Sequence, residues 1–238
     1  MNQNSIIYPG MYKDELGQVE INIENRFNES SVHCLFLEIE GVKFEGSSFD
    51  DFYLPEPEKY TGNKLSRFTF NKVPLFQSDD FVFELCNCEL EFNIPAVLID
   101  YEKNAPFETA LNIHLKLGKP KSNGGIDYEQ ANFQLSINDE SFCSEGDLLE
   151  TGLEQLQKKF DGKYHFKNCF GCLYSDYSPY GNGFFASLQC FRNLKKEYLA
   201  VSNKRQILDL AKIHFISVQE TYCCKDFEIR TKNTGYRG

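Results

Sequence analysis

Polar and apolar residues alternate with a period of two through much of the first 140 residues. This alternation is typical of antiparallel strands with one buried face. It predicts strands over residues 18–23, 34–42, 67–70, 81–92, 111–117 and 132–137. Turn-forming stretches such as PEP at 55–57 and SNGG at 122–125 lie between them. The pattern predicts an antiparallel, β-sandwich-like body over residues 1–145.

The spacing of apolar residues changes to a helical one after residue 146. Leu149, Leu153, Leu156 and Phe160 recur at intervals of three and four. Asp147 is the expected N-cap of this helix, and Asp161-Gly162 is its expected end. We therefore predict a bridging helix within residues 146–162.

Residues 163–238 form a smaller α+β part in this interpretation. Strands are predicted over 164–174, 184–191 and 218–222, with a hairpin turn at Asn182-Gly183. Helices are predicted over 193–200 and from Asn203 to Ile213, the second capped by Asn203 together with Gln206. The whole chain is thus predicted to be α+β and mainly β.

The distribution of charged residues also separates the first 160 residues from the last 78. The sequence has 25 Lys and Arg against 35 Asp and Glu, a net charge of −10. Residues 161–238 carry 12 basic and 7 acidic residues, so the rest of the chain is strongly acidic. We expect the acidic and basic parts to dock onto each other rather than to present a basic face to an anionic ligand, because a net acidic chain is a poor general nucleic-acid binder. The acidic body would also suit a basic protein partner.

The N-terminal sequence MNQNSIIYPG has neither the basic nor the apolar region of a secretion signal. The sequence also lacks an apolar run of about 18 residues, the length that a membrane-spanning helix requires. We expect a cytoplasmic protein without a membrane span.

Nine cysteines are many for a chain in a reducing compartment, and an odd number cannot all form disulfides with one another. Cys169 and Cys172 form a C-x-x-C pair, whose thiolates can chelate one tetrahedral metal ion. The sequence predicts a structural zinc site at Cys169, Cys172, Cys190 and Cys223, with Cys224 or His165 as a substitute ligand. The alternative is that these thiols are packed core residues.

Catalytic candidates are few, because the sequence contains no G-x-S-x-G, H-E-x-x-H or P-loop motif. The polar loop Ser175–Ser178, which includes Asp176, could line a pocket between the body and the C-terminal part, with Arg192 and Glu220. The alternative is a turn in which Asp176 and Ser178 bond to their own backbone.

Several short motifs carry a family resemblance. They are C-x-x-C at 169–172, SDYSPYGNG at 175–183, CFR at 190–192, VQETY at 218–222, GYRG at 235–238 and LCNCELEFNIP at 85–95. With them the chain resembles an uncharacterised bacterial domain family of unknown function. The resemblance implies no activity, cofactor or catalytic residue.

Three functional hypotheses follow. The first is a protein-binding module, such as an immunity-type factor that steers a basic nuclease toxin onto its acidic body. The second is an enzyme that uses the Ser175–Ser178 loop with Arg192 and Glu220. The third is a zinc-ribbon-like nucleic-acid binder.

Overall fold

The computed structural model describes residues 5–28, 34–75, 80–181, 183–185, 187–231 and 234–236. The chain forms two compact units, each assembled from three stretches of sequence. Unit 1 contains residues 1–94, 111–134 and 145–147, and unit 2 contains residues 95–110, 135–144 and 148–238. The units therefore interleave along the sequence, whereas the sequence predicted contiguous parts.

Antiparallel strands make up most of the regular structure. Ten of them are β1 (Ile6–Asp14), β2 (Gly17–Asn25), β3 (Leu35–Ile39), β4 (Val42–Gly46), β5 (Thr69–Pro74), β6 (Phe81–Cys86), β7 (Cys88–Asp100), β8 (Ala105–Leu117), β9 (Glu129–Ile137) and β10 (Glu140–Gly146). The large sheet has the order β10-β9-β8-β7-β1-β2-β3-β4, and β5 pairs with β6.

Two predicted strands are each split by a residue with positive φ. The prediction over 34–42 is wrong in its extent, because Glu40 (φ 49°) and Gly41 (φ 78°) turn the chain into the β3–β4 hairpin. The prediction over 81–92 is interrupted at Asn87 (φ 52°), which separates β6 from β7. Alternation continues through both turns, so the period of two does not reveal them.

Strands β1 and β10 were not predicted. Pro9 and Gly10 in β1 are turn-forming residues, yet both pair with β2 in an unbroken register. β10 is mostly polar, with the sequence ESFCSEG. Pairing with neighbouring strands overrides the local propensity in both cases.

The loop after β4 contributes to the core of unit 1. Phe49 is fully buried, and its ring centroid lies 4.5 Å from that of Phe92 and 6.0 Å from that of Tyr8. Tyr53 then forms bridges with both Glu45 on β4 and Glu84 on β6. The loop is therefore anchored by a core aromatic residue and by backbone pairing.

Unit 2 contains most of the helical structure. Its remaining elements are α2 (Leu149–Lys159), β11 (Tyr164–Phe166), β12 (Ser175–Asp176), β13 (Ser187–Cys190), α3 (Lys195–Leu199), α4 (Lys204–Ile213) and β14 (Ile216–Gln219), and a short helix α1 (Gly62–Leu65) lies in unit 1. Strand β11 pairs with β7, and β12-β13-β14 form a small antiparallel sheet.

The two predicted helix caps have different outcomes. Asn203 caps α4 as predicted, since its Oδ1 accepts from the Gln206 N–H at 3.1 Å. Asp147 is not the N-cap of α2, because that position is held by Leu148, which has no side-chain capping bond. The predicted turn residue Asn182 lies outside the described residues.

These elements confirm the α+β, mainly β class with a large antiparallel sheet. Within the described part of the chain, every helix is too short or too polar to cross a bilayer.

Candidate functional site

The predicted metal ligands lie in three segments of unit 2 that β-pairing brings together. Cys169, Cys172 and Cys190 are all buried, at 3%, 4% and 3% exposure. The Cys169 N–H donates to the Tyr222 carbonyl at 2.6 Å, next to Cys223. Cys190 on β13 pairs with Ser175 on β12. Ser175 lies three residues after Cys172, so this pairing brings Cys190 to the C-x-x-C segment.

The thiols of these segments influence one another electrostatically. Burial raises the pKa of Cys169, and the neighbouring Cys172 and Cys190 raise it further. Burial also raises the pKa of Cys223, although part of this residue is exposed. Among the residues that the structure describes, no three His, Cys, Asp or Glu side chains are arranged to hold a metal ion. The raised pKa of Cys169, Cys190 and Cys223 favours the protonated thiol at these three positions.

His165, the substitute ligand, is already engaged with the C-x-x-C turn. Its Nε2 lies 2.9 Å from the carbonyl oxygen of Gly171. Burial lowers the pKa of His165, so the ring is neutral and Nε2 donates to that carbonyl. A Cβ at Gly171 would lie 2.1 Å from the Phe166 carbonyl oxygen, which explains the glycine between the two cysteines.

The polar loop after the C-x-x-C pair holds a buried carboxylate. Asp176 is 0% exposed, and its Oδ2 accepts from the Tyr198 hydroxyl at 3.0 Å and from the Tyr236 N–H at 2.9 Å. Arg230 Nη2 in turn donates to the Tyr198 hydroxyl at 2.9 Å. Asp176 thereby joins α3 to the last described segment of the chain.

Glu220 is equally buried, at 0% exposure, and its carboxylate accepts from the Tyr177 hydroxyl. Arg192 is half-buried and lies beside Cys190. The Ser178 hydroxyl accepts from the Tyr180 N–H at 3.3 Å, as in the turn-capping alternative. Asp176 and Glu220 thus face the interior of unit 2, and a catalytic role for them stays a prediction.

Sequence reasoning gave no weight to a group of carboxyl residues in unit 1. We use the name acidic cluster for Asp50, Asp51, Glu84 and Glu129. Asp51 accepts from the N–H groups of Ser47 and Ser48 at 2.9 and 2.8 Å, and Asp50 accepts from the Ser48 hydroxyl. These bonds fix both aspartates on the loop after β4.

The acidic cluster carries mutually repelling charges in a partly dry environment. Burial, with the Asp50 and Asp147 carboxylates, raises the pKa of Glu129 to about 7. Burial also raises the pKa of Asp50 and of Glu84, and each is raised further by Asp51. Shifts of this kind concentrate at functional sites, since a cation there would relieve the repulsion.

Other carboxylates of unit 1 have cationic partners. Asp14 pairs with Arg67 at 2.7 Å, and Glu89 pairs with Lys13 at 3.4 Å. Among the described residues, no Lys or Arg side chain forms an ion pair with a member of the acidic cluster. The raised pKa values of Asp50, Glu84 and Glu129 fit carboxyl groups that lack a paired cation within the described part of the chain.

Asn71 adds an unsatisfied acceptor beside the cluster. It lies opposite Glu84 in the β5–β6 pair and is 5% exposed. Its Nδ2 donates to Glu84 Oε2 at 3.3 Å, while its buried Oδ1 has no hydrogen-bond donor within the described residues. A buried oxygen without a donor is costly, so Asn71 adds a locally unfavourable polar group beside Glu84.

The face of β5–β6 that carries Phe70 and Phe83 is different in character. There the two phenylalanines line a cavity of about 290 Å³ together with Leu54 and Leu65. Ser66 is its single polar side chain among the lining residues. The cavity is apolar and contains none of the clustered carboxylates.

The sequence contains only weak signals for the acidic cluster. Asp50-Asp51 is visible as a loop pair, but Glu84 and Glu129 occupy ordinary polar positions in alternating strands. The pairing of Tyr53 with Glu84 brings the loop to the hairpin. Contacts at this sequence separation are not encoded in local periodicity.

A protein-family model matches residues 6–175, which is most of the chain. The chain belongs to DUF6304, a family of unknown function. This confirms the predicted relationship to an uncharacterised domain family. The match includes the acidic cluster, Asn71, Cys169 and Cys172, and ends before Asp176. Neither the search of curated proteins nor that of solved structures finds a significant match.

Proposed function

We propose that this protein is a binding module that takes up a cationic group of a basic protein partner at the acidic cluster of unit 1. The observation that carries the proposal is the grouping of Asp50, Asp51 and Glu84 without a lysine or arginine among the described residues. Uncompensated carboxylates in a partly buried setting destabilise the free protein and favour a cation that enters.

The charge of the whole unit supports the same partner. Unit 1 contains 10 Lys and Arg against 21 Asp and Glu, whereas unit 2 contains 15 against 14. Such a concentration of negative charge attracts a basic partner over several ångströms and accelerates its association. An immunity-type factor that neutralises a basic nuclease is one protein of this kind.

The test compares two variants with the same change in formal net charge. Asp50→Asn, Glu84→Gln and Glu129→Gln together remove three carboxylates of the cluster. Glu20→Gln, Glu38→Gln and Glu58→Gln remove three exposed ones from the same unit. Titration calorimetry with a peptide of six Gly-Arg repeats at two salt concentrations measures binding.

The cluster variant should bind about tenfold or more weakly, which corresponds to about 1.4 kcal/mol. The exposed variant should lose about threefold or less, because it weakens only long-range attraction. Equal losses in both variants would assign the binding to net charge and reject the acidic cluster as the site.

A structural zinc ion in unit 2 is a second proposal, and it concerns stability. Its support is that Cys190 and Cys223, although distant in sequence from Cys169, both raise the pKa of the Cys169 thiol. Binding would require deprotonation and rotation of the thiols into tetrahedral positions. The enzyme and nucleic-acid hypotheses stay predictions from the sequence.

A further inference from the structure

The apolar cavity beside β5 and β6 has walls from three segments of unit 1. Phe70 and Phe83 lie on the two strands, Leu54 lies in the loop after β4, and Leu65 is the last residue of α1. The Leu54 N–H donates to the Phe83 carbonyl at 3.0 Å. The Leu65 carbonyl accepts from the Phe68 N–H at 3.0 Å. Backbone hydrogen bonds therefore hold the loop wall and the helix wall in place.

Aromatic rings of the core pack against Phe70. Its ring centroid lies 6.2 Å from that of Phe68, 6.5 Å from that of Phe44 and 6.2 Å from that of Phe83. Phe44 and Phe68 are themselves buried. A ring that contacts the core on several sides keeps its position, so the cavity exists before a ligand enters it.

The volume of the cavity suits a small hydrocarbon group. It is about 290 Å³. An apolar cavity of roughly 150 Å³ is large enough to admit benzene. A chain of about seven carbon atoms therefore fits here, and its transfer from water into the apolar cavity is favourable.

A lysine projects from the same face of the strands as the two cavity phenylalanines. Lys72 pairs directly with Phe83 and lies two residues from Phe70, so the three side chains share that face. Lys72 Nζ lies 3.7 Å from the ring centroid of Phe81, which is half-exposed. Glu84, the next residue after Phe83, projects from the opposite face.

The ammonium of Lys72 is available to an anion from outside the chain. The side chain is exposed. Across the described stretches of the chain, the acidic side chains that form ion pairs do so with other cations. An anionic group beside Lys72 would also stay hydrated, which avoids the high cost of burying a charge.

We propose that this cavity binds a small amphipathic carboxylate, a medium-chain fatty acid anion. Its hydrocarbon chain lies between Phe70 and Phe83, and its carboxylate lies at the Lys72 ammonium. The apolar walls supply most of the affinity, and the exposed ion pair supplies the selectivity for a negative head group. This site is separate from the acidic cluster, so the proposal does not rest on the proposed function.

Titration calorimetry with octanoate, butanoate and octylammonium tests the proposal. The wild-type protein should bind octanoate at least about tenfold more tightly than butanoate, because the longer chain buries more methylene groups. It should bind octylammonium about fivefold more weakly than octanoate, because the two ligands share an eight-carbon chain and differ in the sign of the head-group charge.

Two lysine variants with the same charge change locate the head group. Lys72→Gln should weaken octanoate binding about threefold and leave octylammonium binding no weaker than in the wild type. Lys121→Gln is the matched control, since Lys121 is exposed in the same unit but lies between β8 and β9, away from the residues that line the cavity. Its octanoate affinity should equal that of the wild type.

Leu65→Trp tests the cavity itself, because a larger side chain in the wall reduces the space for the hydrocarbon chain. It should weaken octanoate and octylammonium alike by about tenfold, and circular dichroism checks that the variant is folded. Equal affinity of the wild type for octanoate and octylammonium would overturn the assignment of an anionic ligand. Failure of the wild type to bind octanoate would reject the site, and neither result affects the titration with the Gly-Arg peptide.

Discussion

The hydroxyl of Tyr198 donates to the buried Asp176 carboxylate at 3.0 Å and accepts from Arg230 at 2.9 Å. One side chain of α3 thereby satisfies both a buried negative group and a cation 32 residues further along the chain. That single oxygen atom therefore links three segments of unit 2.

Tyr198→Phe should destabilise the protein by about 1–3 kcal/mol, because it removes a donor from a fully buried carboxylate. Urea denaturation, followed by circular dichroism, measures the free energy of unfolding. Tyr180→Phe is the control, since Tyr180 is 83% exposed and its loss should have little effect. Equal stability of both variants would show that the network contributes little.

Gly235→Ala should also destabilise unit 2, by about 2 kcal/mol or more. Gly235 has φ +72°, and a Cβ there would lie 1.9 Å from the Tyr198 hydroxyl oxygen. Gly124→Ala separates the two causes, because Gly124 has φ +90° and open space around the added atom. Thermal melts of both variants should place Gly235→Ala well below Gly124→Ala, and identical melting temperatures would contradict the close contact.

Glu129 should make the stability depend on pH between about 4.5 and 7. Its pKa is raised from 4.5 to about 7 in the folded state, so the unfolded chain ionises first as pH rises. The free energy of unfolding then falls across this window and stays low above it. Glu129→Gln should be more stable than the wild type at pH 8, by about 1 kcal/mol after allowance for the exposed part of the side chain.

That difference should vanish at pH 4, where Glu129 is protonated in both states. Urea denaturation at both pH values is the measurement, and Glu20→Gln at an exposed position is the control. A gain of the same size at pH 4 and pH 8 would show that ionisation of Glu129 is not its cause.

The zinc proposal predicts about one zinc ion per purified chain, measured by inductively coupled plasma mass spectrometry. Cys169→Ser combined with Cys172→Ser should remove the metal, while Cys34→Ser with Cys86→Ser in unit 1 should retain it. Cobalt added to metal-free wild-type protein should give a thiolate charge-transfer band. Neither zinc nor this band in the wild type would make the thiols packing residues.

Local patterns predicted some of the features that depend on neighbours in sequence and missed others. The cap of α4 involves Asn203 and Gln206, three residues apart, and it was found. The β3–β4 hairpin was missed, because Glu40 adopts positive φ without any of the usual turn dipeptides. The predicted Asp147 cap was wrong, because Leu148 holds the N-cap position of α2 and makes no side-chain capping bond.

The candidate site was harder to predict from the sequence than these local features. Glu84 and Glu129 are polar positions of alternating strands, and 45 residues separate them. Only the fold places Asp50 near both, and only the β5–β6 register places Asn71 against Glu84. The overall acidity of the first part of the chain and the Asp50-Asp51 pair in a loop were the indications available beforehand.

The interleaving of the two units limits how this protein can be taken apart. Residues 95–110 and 135–144 belong to unit 2, although they lie between segments of unit 1. A cut after residue 145 would separate residues 95–110 and 135–144 from residues 148–238, which complete unit 2. Neither unit can therefore be expressed as one continuous fragment of the chain. Single substitutions, rather than fragments, are the means to assign its activities.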